Sequence, residues 1–231
     1  IYENNYFSLP TSRVFGIAVG EFREVLGRRL AKRYGHLIKP GDVITCVPDS
    51  ANFFAQGFCD AISYKLKTLF IRRHSTRSFT QESQKVIEDT LRRKFSFSPS
   101  KIERILRQNL GVRVWVVDDS IVRGNTSRKI NRALRGFGVK WIGWLSGSPA
   151  IIGPCHKGID MPGKEGKLIA VGRMKSELMP DNEKVAQAIE ADFVGYLPLQ
   201  DLRDTVKDFG KNINYFCYGC FENHDPIWNK W

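Results

Sequence analysis

No run in this chain approaches the roughly 20 apolar residues that a bilayer-spanning helix requires, which excludes that kind of membrane anchor. The opening residues, Ile1-Tyr2-Glu3-Asn4-Asn5, lack the basic region and apolar core of a secretory signal. They also lack an initiator Met, so the chain is expected to be a cut or processed form. Cysteine is scarce. Five residues, an odd number, fit a closed disulfide framework poorly and a reducing, cytoplasmic compartment better. Internal repeats and low-complexity segments are absent. Acidic residues are also short, with 24 Asp plus Glu against 36 Lys plus Arg, a formal charge of +12. Between Arg72 and Arg107, ten basic residues face four acidic ones and supply half of that excess. Such a surface attracts anions, whether phosphorylated metabolites, nucleic acid or acidic lipid. A solvated basic helix explains the stretch equally well, and nucleic acid is not the preferred partner. An apolar content of 42% over 231 residues excludes disorder and suits one α/β domain or one domain with a small appendage.

Glu21 to Tyr34 has helical spacing, with Phe22, Val25, Leu26, Leu30 and Ala31 on one side. Val43 to Val47 reads as a strand broken by Pro48. Phe53 to Ile62 reads as a helix with Asn52 as its cap, and Leu69-Phe70-Ile71 as a short strand. The stretch from Arg72 to about Gln108 is polar and basic. A helix is expected over Glu82–Lys94, with loop on either side. Val112 to Val117 is the clearest strand, a nearly unbroken apolar run of the kind buried on both faces of a parallel sheet. A helix over Ser127–Arg135, a strand over Val139–Leu145 and a helix over Glu183–Ala191 complete a βαβ rhythm. Gly and Pro cluster over 147–154, which places a boundary between a core at about 15–147 and a hood and C-terminal segment at about 148–231.

The most informative segment follows the clearest strand: Asp118-Asp119-Ser120-Ile121-Val122-Arg123-Gly124-Asn125-Thr126-Ser127. Ligands of open α/β sheets bind beyond the carboxyl ends of strands, near the topological switch point. Two adjacent carboxylates there are costly unless a cation or hydroxyl donors meet them. A ribose diol, or Mg²⁺ bound to one, would do so. The small polar residues after Gly124 suit a phosphate at the start of a helix, where amides and the dipole favour an anion. Carboxylates followed by a phosphate cradle fit a phosphorylated pentose. An Asp-Asp-Ser turn capping an ordinary helix would explain the acidic pair alone, but not the whole segment.

This segment resembles the phosphoribosyl pyrophosphate (PRPP) motif of type I phosphoribosyltransferases. Its wording is similar to that of the amidophosphoribosyltransferase family. Further similarities run in order along almost the whole chain. They are Tyr6-Phe7-Ser8 with Pro10, Val47-Pro48-Asp49-Ser50, Arg77-Ser78-Phe79 with Gln84, Arg92-Arg93-Lys94, Ser148-Pro149, Pro154-Cys155, Gly158-Ile159-Asp160, Ala191-Asp192 and Gly195-Tyr196-Leu197. The resemblance implies a central parallel sheet with flanking helices, a flexible loop and a small hood. It implies that Asp118 and Asp119 bind the ribose hydroxyls and, with Ser50, a Mg²⁺ ion. It assigns the 5′-phosphate to Ile121 through Ser127, makes Ser120 a further substrate-binding residue, and gives closure over pyrophosphate to a loop around Arg77. The implied reaction joins PRPP and ammonia into 5-phosphoribosylamine and pyrophosphate, the first step of de novo purine synthesis. The family's glutaminase half is absent from this chain, and a homo-oligomer is expected.

The sequence departs from the family at Ala51, where the family has Gly. If that Gly holds a positive φ, Ala would weaken the site. Arg72-Arg73-His74-Ser75-Thr76-Arg77 is one residue shorter than the family's loop and lacks its Lys, and Ile87 stands where an Arg is usual. These changes favour an alternative, a PRPP-binding regulator or impaired homologue. Cys217-Tyr218-Gly219-Cys220 is a CxxC, a moderate signal for a metal or redox site. By resemblance, Cys155, Cys217 and Cys220 are three ligands of a [4Fe–4S] cluster whose fourth would fall just before Ile1. A zinc site including His224 and buried structural thiols are the competing readings. Cys46 and Cys59 are expected in the core, as are Trp115, Trp141 and Trp144. None of His36, His74, His156 and His224 is expected to be a catalytic base.

Overall fold

The computed structural model describes residues 1–72, 95–108, 111–155 and 168–224. Arg77 and the loop around it, the helix expected over Glu82–Lys94, Gly158-Ile159-Asp160, Trp228 and Trp231 lie outside the described residues.

Two short antiparallel hairpins, β1 (Arg13–Val14) with β2 (Ile17–Ala18) and β8 (Met174–Ser176) with β9 (Met179–Pro180), accompany a central four-stranded parallel sheet made of β3 (Val43–Cys46), β6 (Arg113–Asp118), β7 (Trp141–Ser146) and β10 (Phe193–Tyr196). The four central strands lie side by side in chain order. Leu66 makes an isolated parallel bridge to Ile44 on the outer side of β3. The chain therefore first steps outward from β3 and later returns on the other side as β6. That reversal is a topological switch point between β3 and β6, where a crevice opens beyond the strand ends.

Helices cover both faces. Alternating residues of β6 divide between them: Val114 and Val116 pack on one side, Trp115 and Val117 on the other. The first side is filled by α3 (Pro99–Gln108), α4 (Asn125–Gly136) and α5 (Asn182–Ile189), through Ile102, Ile105, Ile130, Leu134, Val185 and Ile189. The second is filled by α1 (Val19–Tyr34), α2 (Asn52–Ala61) and α6 (Leu199–Asp208), with the short α7 (Gly219–Glu222). Two glycines set the α1–α2 packing. A Cβ on Gly27 would stand 2.0 Å from the Phe54 carbonyl oxygen, and one on Gly57 would stand 2.1 Å from that of Glu24. The helices cross backbone against backbone, which only glycine permits.

Trp115 and Trp144 are buried to within 1% and donate their indole N–H groups to Asp42 at 3.0 Å and Asn131 at 2.7 Å. Arg113 closes a pair with Asp42 at 2.5 Å and covers the Trp141 ring at 4.9 Å. The three tryptophans thus pack as expected.

The short strand expected at Leu69-Phe70-Ile71 is present as β4 (Phe70–Arg72), which pairs antiparallel with β5 (Phe95–Phe97). Stacked Phe70, Phe95 and Phe97 hold that ribbon. The loop expected before Gln108 holds β5 and α3, because Ile102 and Ile105 supply a buried stripe among the charges. Ala51, and not Asn52, stands at the cap of α2; the Asn52 side chain accepts a hydrogen bond from Cys46 Sγ at 3.3 Å. Strand β10 and helix α6 were not expected. Strand β10 places part of the segment beyond 148 in the same sheet as the core.

Candidate active site

The crevice at the switch point is a cleft of about 750 Å³. Ser50, from the turn after β3, lines it on one side, and Asp118 through Ser127, from the end of β6 into α4, line the other. Every described residue predicted to bind a phosphoribosyl group therefore faces one space. The strand puts them there: β6 ends at Asp118, and the next helix starts at Asn125.

Asp119 is 3% exposed. Ser50 Oγ donates to its Oδ1 at 2.6 Å and Ser120 Oγ to its Oδ2 at 2.9 Å. Asp118 Oδ1 accepts the Asp119 backbone N–H at 3.0 Å. Burial pushes the Asp119 carboxyl above the ordinary carboxylate range, and the two hydroxyl donors pull it partly back. The pair is thus held by donors that a ribose diol or a hard cation would share or replace.

The loop from Ile121 to Gly124 ends on a left-handed residue, Gly124, with φ +69°. Arg128 N–H, donating to Gly124 O at 3.0 Å, begins the helical ladder. The N–H groups at the first positions of α4 precede that ladder, and no side chain caps them. They form a cradle of donors with the helix dipole behind it. From outside, Ile169 N–H donates to Val122 O at 2.8 Å and fixes the loop.

The cleft also shows residues that sequence reasoning missed. Arg23 of α1 is 1% exposed and lines the cleft. It donates to Asn4 O and Ser8 O, both at 2.9 Å, and feels the Asp119 charge. Tyr2 hydrogen-bonds Ser120 at 3.2 Å, and Asn5 Nδ2 donates to Asp119 O at 3.4 Å. The N-terminal turn Glu3–Phe7 thereby backs the acidic pair. The signal for Arg23 was an Arg amid the apolar face of a predicted helix, where an unpaired charge would not survive. Ala51 has φ −94°, a conformation that Ala adopts without strain, so the substitution at this position does not deform the turn.

The remaining cysteines gather at the chain start. The Ile1 amino group donates to Cys217 O at 3.3 Å, and burial pushes its pKa below the ordinary value. Burial pushes the Cys220 thiol up to about 12. Among the described residues, no three His, Cys, Asp or Glu side chains stand in metal-binding geometry. Cys46 and Cys59 are buried or half-buried, and burial pushes both thiols up to about 12. They are core residues, as expected.

No family model matches the chain. It is 36% identical over 228 residues to amidophosphoribosyltransferase 1, chloroplastic, from Arabidopsis thaliana, a match covering 98% of this chain and 37% of that protein. It is 36% identical to the amidophosphoribosyltransferase of Methanocaldococcus jannaschii, covering 98% and 43%. In structure it is similar to a glutamine PRPP amidotransferase from B. subtilis solved with ADP and GMP, with TM-score 0.78 and 34% identity over 97% of this chain and 46% of that one. The chain thus spans less than half the length of these relatives. It shares their phosphoribosyltransferase fold, and in sequence and fold it is a homologue of the amidophosphoribosyltransferases over nearly its whole length.

Proposed function

We propose that this chain moves a phosphoribosyl group from PRPP to ammonia, giving 5-phosphoribosylamine and pyrophosphate. The observation that carries this reading is the single cleft in which Ser50, the Asp118–Asp119 pair and the amide cradle of α4 meet. Asp118 and Asp119 accept from the ribose hydroxyls. Ile121 through Ser127 hold the 5′-phosphate through backbone N–H groups and the Thr126 and Ser127 hydroxyls. Displacement at C1 builds positive charge on the ribose ring, and the acidic pair beneath it stabilises that charge. Arg72 and Arg123 line the same cleft and face the pyrophosphate as it leaves. Arg77 is assigned to the same task by resemblance alone. Enclosing the ribose would exclude the water that hydrolyses it.

Carboxylate and hydroxyl oxygens are the hard donors that Mg²⁺ prefers, and Mg²⁺ commonly needs only one or two carboxylates beside waters and substrate phosphates. When bound, Mg²⁺ would offset charge on the pyrophosphate. Ser50, Asp118 and Asp119 would hold it on the protein side. Cys155, Cys217 and Cys220 are soft donors of the kind a [4Fe–4S] cluster takes, but among the described residues no three such side chains stand in metal-binding geometry, so the cluster rests on resemblance alone. A glutaminase domain, in this or another chain, would supply the ammonia.

The test is pyrophosphate release from PRPP with Mg²⁺ and ammonium chloride, against an Asp118→Asn, Asp119→Asn variant. Ammonia-dependent release that the variant loses is the expected result. If calorimetry detects no PRPP binding to the wild-type chain, the reading is wrong. PRPP binding without release would point to the regulatory homologue.

A further inference from the structure

A second cleft, of about 430 Å³, lies at the outer edge of the sheet. One wall is Lys65-Leu66-Lys67, the segment that bridges to β3 through Leu66. The other is α3, which contributes Lys101, Arg104, Ile105 and Gln108. Four cations and one amide surround an apolar base, and among the described residues no carboxylate lines the space. Among the described residues, no ion pair or side-chain hydrogen bond engages any of the four. Arg29, Arg132, Arg135, Arg203 and Lys207 each reach a carboxylate within 3.0 Å. Lys32, Arg107, Lys129, Lys140 and Lys211, like the four, have no carboxylate partner among the described residues, so it is the convergence of four such charges on one cleft that sets this group apart.

Four like charges in one cleft repel one another until an anion enters. Lys65 and Lys67 stand two apart on an extended segment, and Lys101 and Arg104 one turn apart on a helix, so each pair projects to one side of its element. The two pairs come from different elements and converge, which a merely solvated charge run does not do. The volume is that of a small-molecule site, too small for a nucleic acid duplex. The chemistry that matches is a chain of phosphates, whose several charges would span both walls.

We propose that this edge cleft binds a small molecule carrying two or more linked phosphates. The site is separate from the cleft that holds Asp118 and Asp119, and the proposal does not rest on the transferase reading. Two sources share the chemistry, inorganic polyphosphate and a nucleoside triphosphate.

The test titrates the 231-residue chain with tripolyphosphate and, separately, with ATP. Wild type is compared with a Lys101→Glu, Arg104→Glu variant and a Lys65→Gln, Lys67→Gln variant. Calorimetry reads affinity and stoichiometry, and the four side chains reach solvent, so thermal melts should match wild type. The expected result is two binding events in wild type. Both variants lose one event, or weaken it by at least about tenfold, and keep the other. That event also weakens as salt rises, because its charges are screened. Equal affinity for the two probes means that the phosphates alone are read. Tighter ATP binding identifies a nucleotide site. Titrations in which neither variant loses or weakens an event that wild type shows would overturn the proposal, whereas a single wild-type event that both variants lose would uphold it and count against binding in the Asp118–Asp119 cleft.

Discussion

Replacing Gly124 with Ala tests whether the phosphate cradle is a built geometry or an incidental loop. Gly124 sits at φ +69°, where a side-chain-bearing residue costs roughly 1–2 kcal/mol. Its new Cβ would stand 2.4 Å from Ile169 Cδ1 and 2.8 Å from Ile189 Cγ2. Ile169 Cδ1 can turn aside at χ2, whereas Ile189 Cγ2 is held by the stiff χ1 of a β-branched residue, so the clash is relieved in part by small shifts, at a cost of about 1–3 kcal/mol for overpacking. Together the two effects predict a loss of about 2–5 kcal/mol. At roughly 2–4 °C per kcal/mol for a chain of this size, the melting temperature should fall by about 4–20 °C. Differential scanning calorimetry reads this directly. The two parts separate if Ile169 is shortened to Val, which removes Cδ1. The double variant should regain part of the overpacking loss and none of the backbone cost. The same displacement tilts the first turn of α4, so binding of inorganic phosphate should weaken along with stability. A Gly124→Ala variant that melts within about 1 °C of wild type and still binds phosphate equally would refute the reasoning.

Ser50→Ala removes the 2.6 Å donor to Asp119 and should lift that carboxyl's already raised pKa further. A buried carboxylate with a raised pKa destabilises the fold while ionised and is relieved as pH falls through the folded value. The variant's deficit should therefore be about 1–3 kcal/mol near neutral pH and should shrink toward acid. A deficit that stays constant in melts taken across that range would contradict the assignment. Gly57→Ala would place a Cβ 2.1 Å from the Glu24 backbone oxygen, and backbone cannot swing aside as a side chain does. It should destabilise by more than the roughly 1–3 kcal/mol of ordinary overpacking, and denaturant melts that match wild type would show that the helices can part at no cost. Asp42→Ala removes the acceptor of the buried Trp115 indole and leaves Arg113 the Leu37 carbonyl at 2.7 Å, which should cost about 1–3 kcal/mol, whereas a loss below about 0.5 kcal/mol by urea unfolding would contradict this role for the carboxylate.

The parts of the fold legible in the sequence were those whose signal is local. Val112–Val117 is an apolar run that only a strand buried on both faces tolerates, and β6 is that strand. Helix α1 follows from its apolar spacing. The acidic pair and the cradle could be located because both are contiguous in the chain. What could not be read depends on partners far away in sequence. Phe193–Tyr196 is too short to declare itself, and becomes a strand only because β7 offers it an edge. Helix α3 was hidden because its charges outnumber its two buried isoleucines. Arg23 was hidden for the opposite reason, since its partners are carbonyl oxygens of residues 4 and 8, which no spacing rule connects to a helix.

Arg23 bears on why a pair of adjacent carboxylates survives at the bottom of a cleft. Ser50 and Ser120 satisfy the oxygens of Asp119, but neutral hydroxyls carry no net charge to set against it. Arg23 does, and its own burial lowers its pKa while Asp119 raises it. The arginine in turn needs acceptors, and it takes them from both ends of the Glu3–Phe7 turn. That turn returns Asn5 to the Asp119 backbone and Tyr2 to Ser120. The first residues of the chain are thus structural support for residues more than a hundred positions away. A cleft that holds two adjacent carboxylates is steadied by a fixed cation beside them, and α1 supplies one, Arg23, from the sheet face opposite α4.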